Sequence, residues 1–315
     1  NIAPFGICDS PYNLTADWNN TDYLALTQDT GIIYIDNCTD LDQAGKTYVL
    51  TADIIDSSTS TCINISANNV TFDGQGYMVD ANLSASPDYG IWVYRGSSEI
   101  TNITIKNVII QHWDEANIYL RYADENTLEN ILTQNSTDYG IYYSVCDDGV
   151  FNNITVLYDQ TGIRWGTSSD NNILNNSNIS YNLDTGFYLD RSGGSGMNNI
   201  INTKIMENTY LDISIGFDQT AYCNGWNFTN ITGSGNRAIE YYNEPSNIQN
   251  KVLSELLICG ASNSNITNIT IRGSETLDNN YLFAYSSNNI NVTNINSSNN
   301  YRGIYISGLD NSIFS

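Results

Sequence analysis

One short phrase recurs through the middle of this chain, and it restricts the fold more than any other feature. Its openings are Gly90-Ile91-Trp92-Val93, Asn117-Ile118-Tyr119-Leu120, Gly140-Ile141-Tyr142-Tyr143, Gly162-Ile163-Arg164-Trp165 and Gly186-Phe187-Tyr188-Leu189. After each comes a polar turn and a second phrase built on asparagine, as in Ile103-Thr104-Ile105, Asn130-Ile131-Leu132 and Asn153-Ile154-Thr155-Val156. The period is about 22 to 27 residues, the range of solenoid repeats. Apolar residues alternate within a phrase, so the unit is made of strands. A few four-residue strands bury no apolar face alone. Stacked coil on coil, each pairs with its equivalent about 4.8 Å away.

Asparagine at one place in every coil fits the same architecture, because its side chain tolerates left-handed bends and can bond to the amide above it. Following that place gives Asn102, Asn130, Asn153, Asn175, Asn202, Asn230, Asn250, Asn268 and Asn294, expected as a ladder inside a bend. The chain therefore reads as an all-β, right-handed parallel β-helix, its hand taken from the preference of parallel crossovers. Residues 1–30 do not repeat and read as an N-terminal cap, with the solenoid over 31–315. The sequence stops inside a repeat with no polar cap, so the natural chain is expected to continue.

Charge narrows the partners. The 315 residues carry 34 acidic against 11 basic side chains, net −23, which argues against nucleic acid and anionic membranes and suits cations, structural calcium among them. No apolar run is long enough for a transmembrane segment. The six cysteines lack metal-binding spacing. Cys38 and Cys62, one coil apart, are expected to pair, as are Cys223 and Cys259. Cys8 and Cys146 are left for each other or for a neighbouring molecule.

About seventeen N-x-S/T sequons occur. With the ladder positions discounted, the glycan acceptor candidates are Asn13, Asn19, Asn37, Asn64, Asn82, Asn135, Asn178, Asn227, Asn265, Asn291 and Asn296. If the isoleucines of the repeat point inward, Trp92, Tyr119, Tyr142, Arg164 and Tyr188 form an outward stripe, suited to sheet stabilisation, to a subunit contact or to sugar rings. Acidic pairs that would suit glycoside hydrolysis, Asp114-Glu115, Asp124-Glu125 and Asp147-Asp148, lie in turns, with neighbours expected on opposite faces.

The run from Tyr48 to Ile54, then Cys62-Ile63-Asn64-Ile65 and Asn69-Val70-Thr71-Phe72-Asp73-Gly74-Gln75-Gly76, resembles the opening coils of secreted NosD-like repeat proteins, many from archaeal cell surfaces. The later Gly-Ile-Tyr and Asn-Ile-Thr phrases resemble the same family's repeat. The resemblance implies the fold and, more broadly, surface proteins, carbohydrate-binding modules or polysaccharide-active enzymes. Copper enters through the family's name, yet Met78, Met197, Met206 and His112 are scattered. The expectation is an N-glycosylated, disulfide-bonded structural protein of the cell surface with no catalytic site. It would self-associate or join other surface proteins in a surface layer, sheath or filament. The alternatives are a carbohydrate-binding or adhesive module and a polysaccharide hydrolase or lyase.

Overall fold

The computed structural model describes residues 12–13, 21–22, 31–96, 98–190, 197–216 and 220–315. The expected cap lies outside these, apart from two short antiparallel strands, Tyr12–Asn13 and Thr21–Asp22. From Gly31 onward the chain winds into a β-solenoid of about 12 turns, the parallel β-helix that the repeat predicts.

The front sheet has eight parallel strands, one per coil, from Thr39–Leu41 to Leu211–Ile215. Register follows the phrase: Ile91 lies beside Ile118, Ile118 beside Ile141, Ile141 beside Ile163 and Ile163 beside Phe187. These side chains are fully buried, and so are Val93, Leu120, Tyr143, Trp165 and Leu189 two residues on. The interior is thus a set of rows in which like sits on like.

The second phrase forms longer strands, Thr104–Gln111, Thr127–Gln134 and Val150–Leu157, whose inward alternation is interrupted midway. The interruption is a single asparagine with positive φ: Asn107, Asn130, Asn153, Asn176, Asn202 and Asn230 in successive coils. One left-handed residue turns the strand from the second sheet into the third. Amide bonds climb this bend from Asn130 to Asn107 at 3.1 Å, Asn153 to Asn130 at 2.8 Å and Asn230 to Asn202 at 2.8 Å.

This corrects the expected ladder in two respects. Asn102 belongs to a different bend, bonded to Asn69, and in the other ladder it is Asn176, not Asn175, that has the left-handed backbone. The ladder asparagines are also exposed, on the outside of the bend. Interior amide pairs exist elsewhere: Asn172 with Asn198 at 3.1 Å and Asn182 with Asn208 at 2.9 Å, all fully buried. The glycine of the repeat makes room for that interior. A Cβ at Gly140 would strike the Asp159 carboxylate, and at Gly162 or Gly186 it would strike the Asn182 or Asn208 amide.

At Ser234–Asn236 the chain reverses. Strand Ile231–Gly233 pairs antiparallel with Arg237–Tyr242, placing Ile231 against Ile239 and Gly233 against Arg237. A second stack follows, in which Arg237–Tyr242, Glu255–Cys259, Leu282–Tyr285 and Ile304–Ser307 pair in parallel. It has its own apolar cluster around Ile258, Ile266 and Ile269 and its own left-handed asparagines, Asn250, Asn268 and Asn294. Cys38 is bonded to Cys62 and Cys223 to Cys259, as expected. Cys146, expected to pair with Cys8 or a neighbouring molecule, is a free thiol, fully buried, with its sulfur 3.1 Å from the Ser144 carbonyl oxygen, and Cys8 lies outside the described residues.

Candidate functional site

Strand register carries the predicted stripe into place. Trp92, Tyr119, Tyr142, Arg164 and Tyr188 are neighbours in adjacent front-sheet strands and all point outward, half-buried. The Tyr119 and Tyr142 rings stack at 4.9 Å, and Trp92 meets Tyr119 edge-on at 6.2 Å. A second outward row, three residues earlier, thickens the stripe: Tyr89 lies 4.8 Å from Trp92, and Tyr139 lies 5.2 Å from Tyr142.

Arg164 sits among these rings, its guanidinium carbon 5.3 to 5.6 Å from the ring centres of Tyr142, Tyr188 and Tyr139. It donates to the Tyr139 hydroxyl at 2.9 Å and to Asp190 Oδ2 at 3.2 Å. Burial works against the cation, but the bonds to Tyr139 and Asp190 outweigh it and hold the pKa above the usual arginine value. Arg164 is therefore a fixed cation, unsuited to take a proton. Burial likewise raises the Tyr139 phenol, and it pushes Tyr89 up to about 12, with Glu115 adding to the effect. These hydroxyls stay protonated and act as donors.

Past Tyr188 the second stack folds against the end of the front sheet and turns the stripe into a groove of about 410 Å³. Tyr139, Arg164, Asp184 and Tyr188 line one side, and Tyr281, Phe283, Tyr301, Arg302 and Tyr305 the other. Phe283 and Tyr305 stack at 5.5 Å with nearly parallel planes, and the Arg302 guanidinium lies 5.4 Å from the Tyr301 and Tyr305 ring centres. Strand periodicity does not foretell this second wall, which is delivered by the single chain reversal at Ser234–Asn236. A smaller depression of about 250 Å³, lined by Asp40, Asn64, Trp92 and Tyr94, marks the other end of the stripe.

Beneath the groove the two stacks meet through buried polar groups. The fully buried Asp212 carboxylate accepts from the Asn280 amide at 2.7 Å, the Ser234 amide at 2.8 Å and hydroxyl at 3.0 Å, and the Asn208 amide at 3.1 Å. Fully buried Glu255 accepts the Ile213 amide at 3.0 Å through Oε2, while Oε1 has no partner. Burial, then the neighbouring Asp212, pushes Glu255 well above its ordinary value and favours its neutral form.

The other acidic candidates stack one per coil. Asp124 Oδ1 accepts the Asp147 amide, and Asp147 Oδ1 accepts the Asp170 amide, each at 2.7 Å. Burial raises all three, and repulsion from neighbouring carboxylates adds to it. Soft-metal donors do not converge: His112 is tied to Asp80 at 2.7 Å, Cys146 is sealed in the core, and Met78 and Met206 sit in different coils. No three His, Cys, Asp or Glu side chains among the described residues gather around a metal position. Of the expected glycan acceptors, Asn13 and Asn19 lie outside the described side chains, and the rest are exposed or partly exposed.

A family model described as periplasmic copper-binding protein (NosD) matches residues 23–236. No curated protein is similar enough in sequence to match. Among solved structures, pectate lyase Pel9A is 14% identical with a TM-score of 0.49, covering 89% of this chain and 68% of that one. The periplasmic alginate epimerase AlgG is 13% identical at 0.39, covering 86% and 71%. The catalytic domain of a GH87 α-1,3-glucanase is 13% identical at 0.42, covering 89% and 63%. At such identities the likeness bears on the fold alone. It does correct one expectation: the chain was read as having no catalytic function, but these neighbours are enzymes on the same coiled fold, which removes the ground for excluding an enzyme.

Proposed function

The chain belongs to the NosD family, and from that membership we propose that it works outside the cytoplasm as a polysaccharide-binding rod, holding a neutral glycan chain in the groove between its two stacks. Two disulfides and the family's periplasmic description support the location. The observation that carries the binding reading is the groove itself: aromatic faces on both walls, phenolic donors held protonated, and an arginine fixed upright among the rings. Ring faces take the CH side of a sugar, while hydroxyl and guanidinium groups take its oxygens. A flat contact between subunits of a surface layer would leave this concavity unfilled.

Charge selects among glycans. Arg164 is already matched by Asp190, Asp184 lines the groove along with Arg302, and the whole chain carries −23, so a polyanion gains little by approaching. The copper in the family's description is given no role, since the soft donors do not converge.

Titration calorimetry with neutral and uronic-acid oligosaccharides tests the reading. Neutral chains should bind with little dependence on salt, and Tyr188→Ala and Tyr305→Ala should each weaken binding about tenfold or more, a loss near 1.4 kcal/mol. Binding confined to acidic oligosaccharides and falling steeply with salt would sink the proposal, as would indifference to both substitutions.

A further inference from the structure

We propose that the chain is an N-glycan acceptor at Asn82, Asn135 and Asn296, and that its other described sequons serve the fold instead. The motif cannot separate them, since asparagine, an apolar residue and threonine also spell a bend entering a strand. The amide nitrogen can. It is the atom that would carry the sugar, and in most sequons it is already committed. Asn64 donates to Asp40 at 2.9 Å, Asn227 to Asn199 at 3.0 Å, Asn265 to Asn247 at 3.1 Å and Asn291 to Asn265 at 2.9 Å, each across neighbouring coils. Asn37 donates to Asp36 within its own turn. A glycan on any of these would sit on the nitrogen that ties one coil to the next or closes the turn, and would crowd the partner held there.

Six sequons leave the nitrogen without a bond among the described residues, and in three of them the side chain is neither tied to the next coil nor set between paired strands. Asn135 is exposed at a left-handed bend, and its side chain makes no hydrogen bond. Asn82 and Asn296 use only their oxygens, Asn82 accepting the Ser84 amide at 2.9 Å and Asn296 the Ser298 hydroxyl at 2.9 Å. Asn82 follows the strand Met78–Ala81 and Asn296 ends the strand Asn291–Asn296; in each the side-chain carbonyl closes on the second residue after it and the nitrogen is left without a bond among the described residues. Asn178 does not join them: it lies within the third sheet between Thr155 and Lys204, and its oxygen holds the hydroxyl of buried Ser180. Asn69 and Asn175 give their oxygens to the amides of Asn102 and Asn202 in the next coil.

The donor would be a lipid-phosphate-linked oligosaccharide. A bond forms between the asparagine nitrogen and the anomeric carbon, the carbon–oxygen bond to the lipid phosphate breaks, the phosphate leaves with its electron pair, and the nitrogen gives up one proton. Enough nitrogen–hydrogen remains for a single amide bond, and these three sites do not depend on one.

The test is to secrete the whole chain from a cell that carries an oligosaccharyltransferase, release the glycans enzymatically in heavy-oxygen water and map the labelled peptides by mass spectrometry. The expected result is label at Asn82, Asn135 and Asn296 and none at Asn64, Asn227, Asn265 or Asn291. A filled site in that second group, or an empty one in the first, overturns the assignment. Paired substitutions give an independent reading. Thr137→Ala, which ends the Asn135 sequon without touching its left-handed backbone, should remove one glycan mass and leave the melting temperature of the deglycosylated protein unchanged, whereas Asn265→Gln should lower it with no change in mass.

Discussion

The interior of the eight-coil stack and the joint where the second stack meets it solve one problem by opposite means. Within the stack every strand has a like strand on each side, so backbone groups are met by the ladder and side chains are free to be apolar, as in the row Ile91, Ile118, Ile141 and Ile163. Strand Leu211–Ile215 ends that series. Among the described residues its outer edge has no ninth strand, and side chains answer its donors: Asn280 Oδ1 accepts the Asp212 amide at 2.7 Å and Glu255 accepts that of Ile213. Repetition thus permits a greasy core, and the end of repetition demands a polar one. The same polar joint holds the groove's second wall against its first.

If that contrast is right, the joint is the more fragile region. Asp212→Ala removes an acceptor serving amides and hydroxyls from Asn208, Ser234, Ser254 and Asn280, leaving buried donors unmet. A loss of about 3–5 kcal/mol is expected, together with loss of glycan binding. Ile141→Ala, in mid-stack, should cost about 2–5 kcal/mol through its cavity but leave the groove intact. Denaturant melts and calorimetry on the two variants decide the matter. Were Ile141→Ala to abolish binding and Asp212→Ala spare it, the joint would not be what shapes the site.

Glu255 sharpens the comparison through pH. Its folded pKa lies above the unfolded value near 4.3, so the folded state holds a proton that the unfolded state releases. Stability should therefore fall as pH rises from about 4.3 toward the folded pKa, and level off above it. Glu255→Gln keeps the shape and removes the proton. At pH 8 it should melt a few degrees higher than the parent, and at pH 4 at about the same temperature. Parallel pH profiles for the two proteins would place the linkage elsewhere.

The contrast also explains what could be read in advance. Coils, strand period and stripe were legible because each is stated many times over, and an error in one repeat is corrected by the next; the two disulfides followed from the coil spacing. Asn172 and Asn198 were overlooked, yet each stands two residues before an inward Leu174 or Ile200, and alternation alone puts it inside. The reversal at Ser234–Asn236 is stated only once. Gly233-Ser234-Gly235-Asn236 is a fair hairpin signal, and Gly235 and Asn236 do take positive φ, but among so many asparagine bends one more turn did not stand out. The groove's second wall, from Tyr281 to Tyr305, was illegible for that reason, since it faces Arg164 only because the chain turns back.

The asparagine bend offers the finest test, because it appears on both sides of the joint and is broken by it. Rungs run to Asn230, stop at the reversal and resume at Asn250 with a new partner, Asn268. If the residue is there for its backbone, glycine should serve as well. If it is there for the amide ladder, glycine should fail as alanine does. Asn153 has φ near 55° and one amide bond down to Asn130. Alanine there meets the left-handed penalty and loses the bond, for about 1–2 kcal/mol. Glycine meets no such penalty and loses only an exposed bond, so its cost should stay near 0.5 kcal/mol. A glycine variant as damaged as the alanine one would make the ladder, not the bend, the reason asparagine recurs. In that case the ladder's interruption at the joint would itself be a source of the fragility predicted for Asp212→Ala.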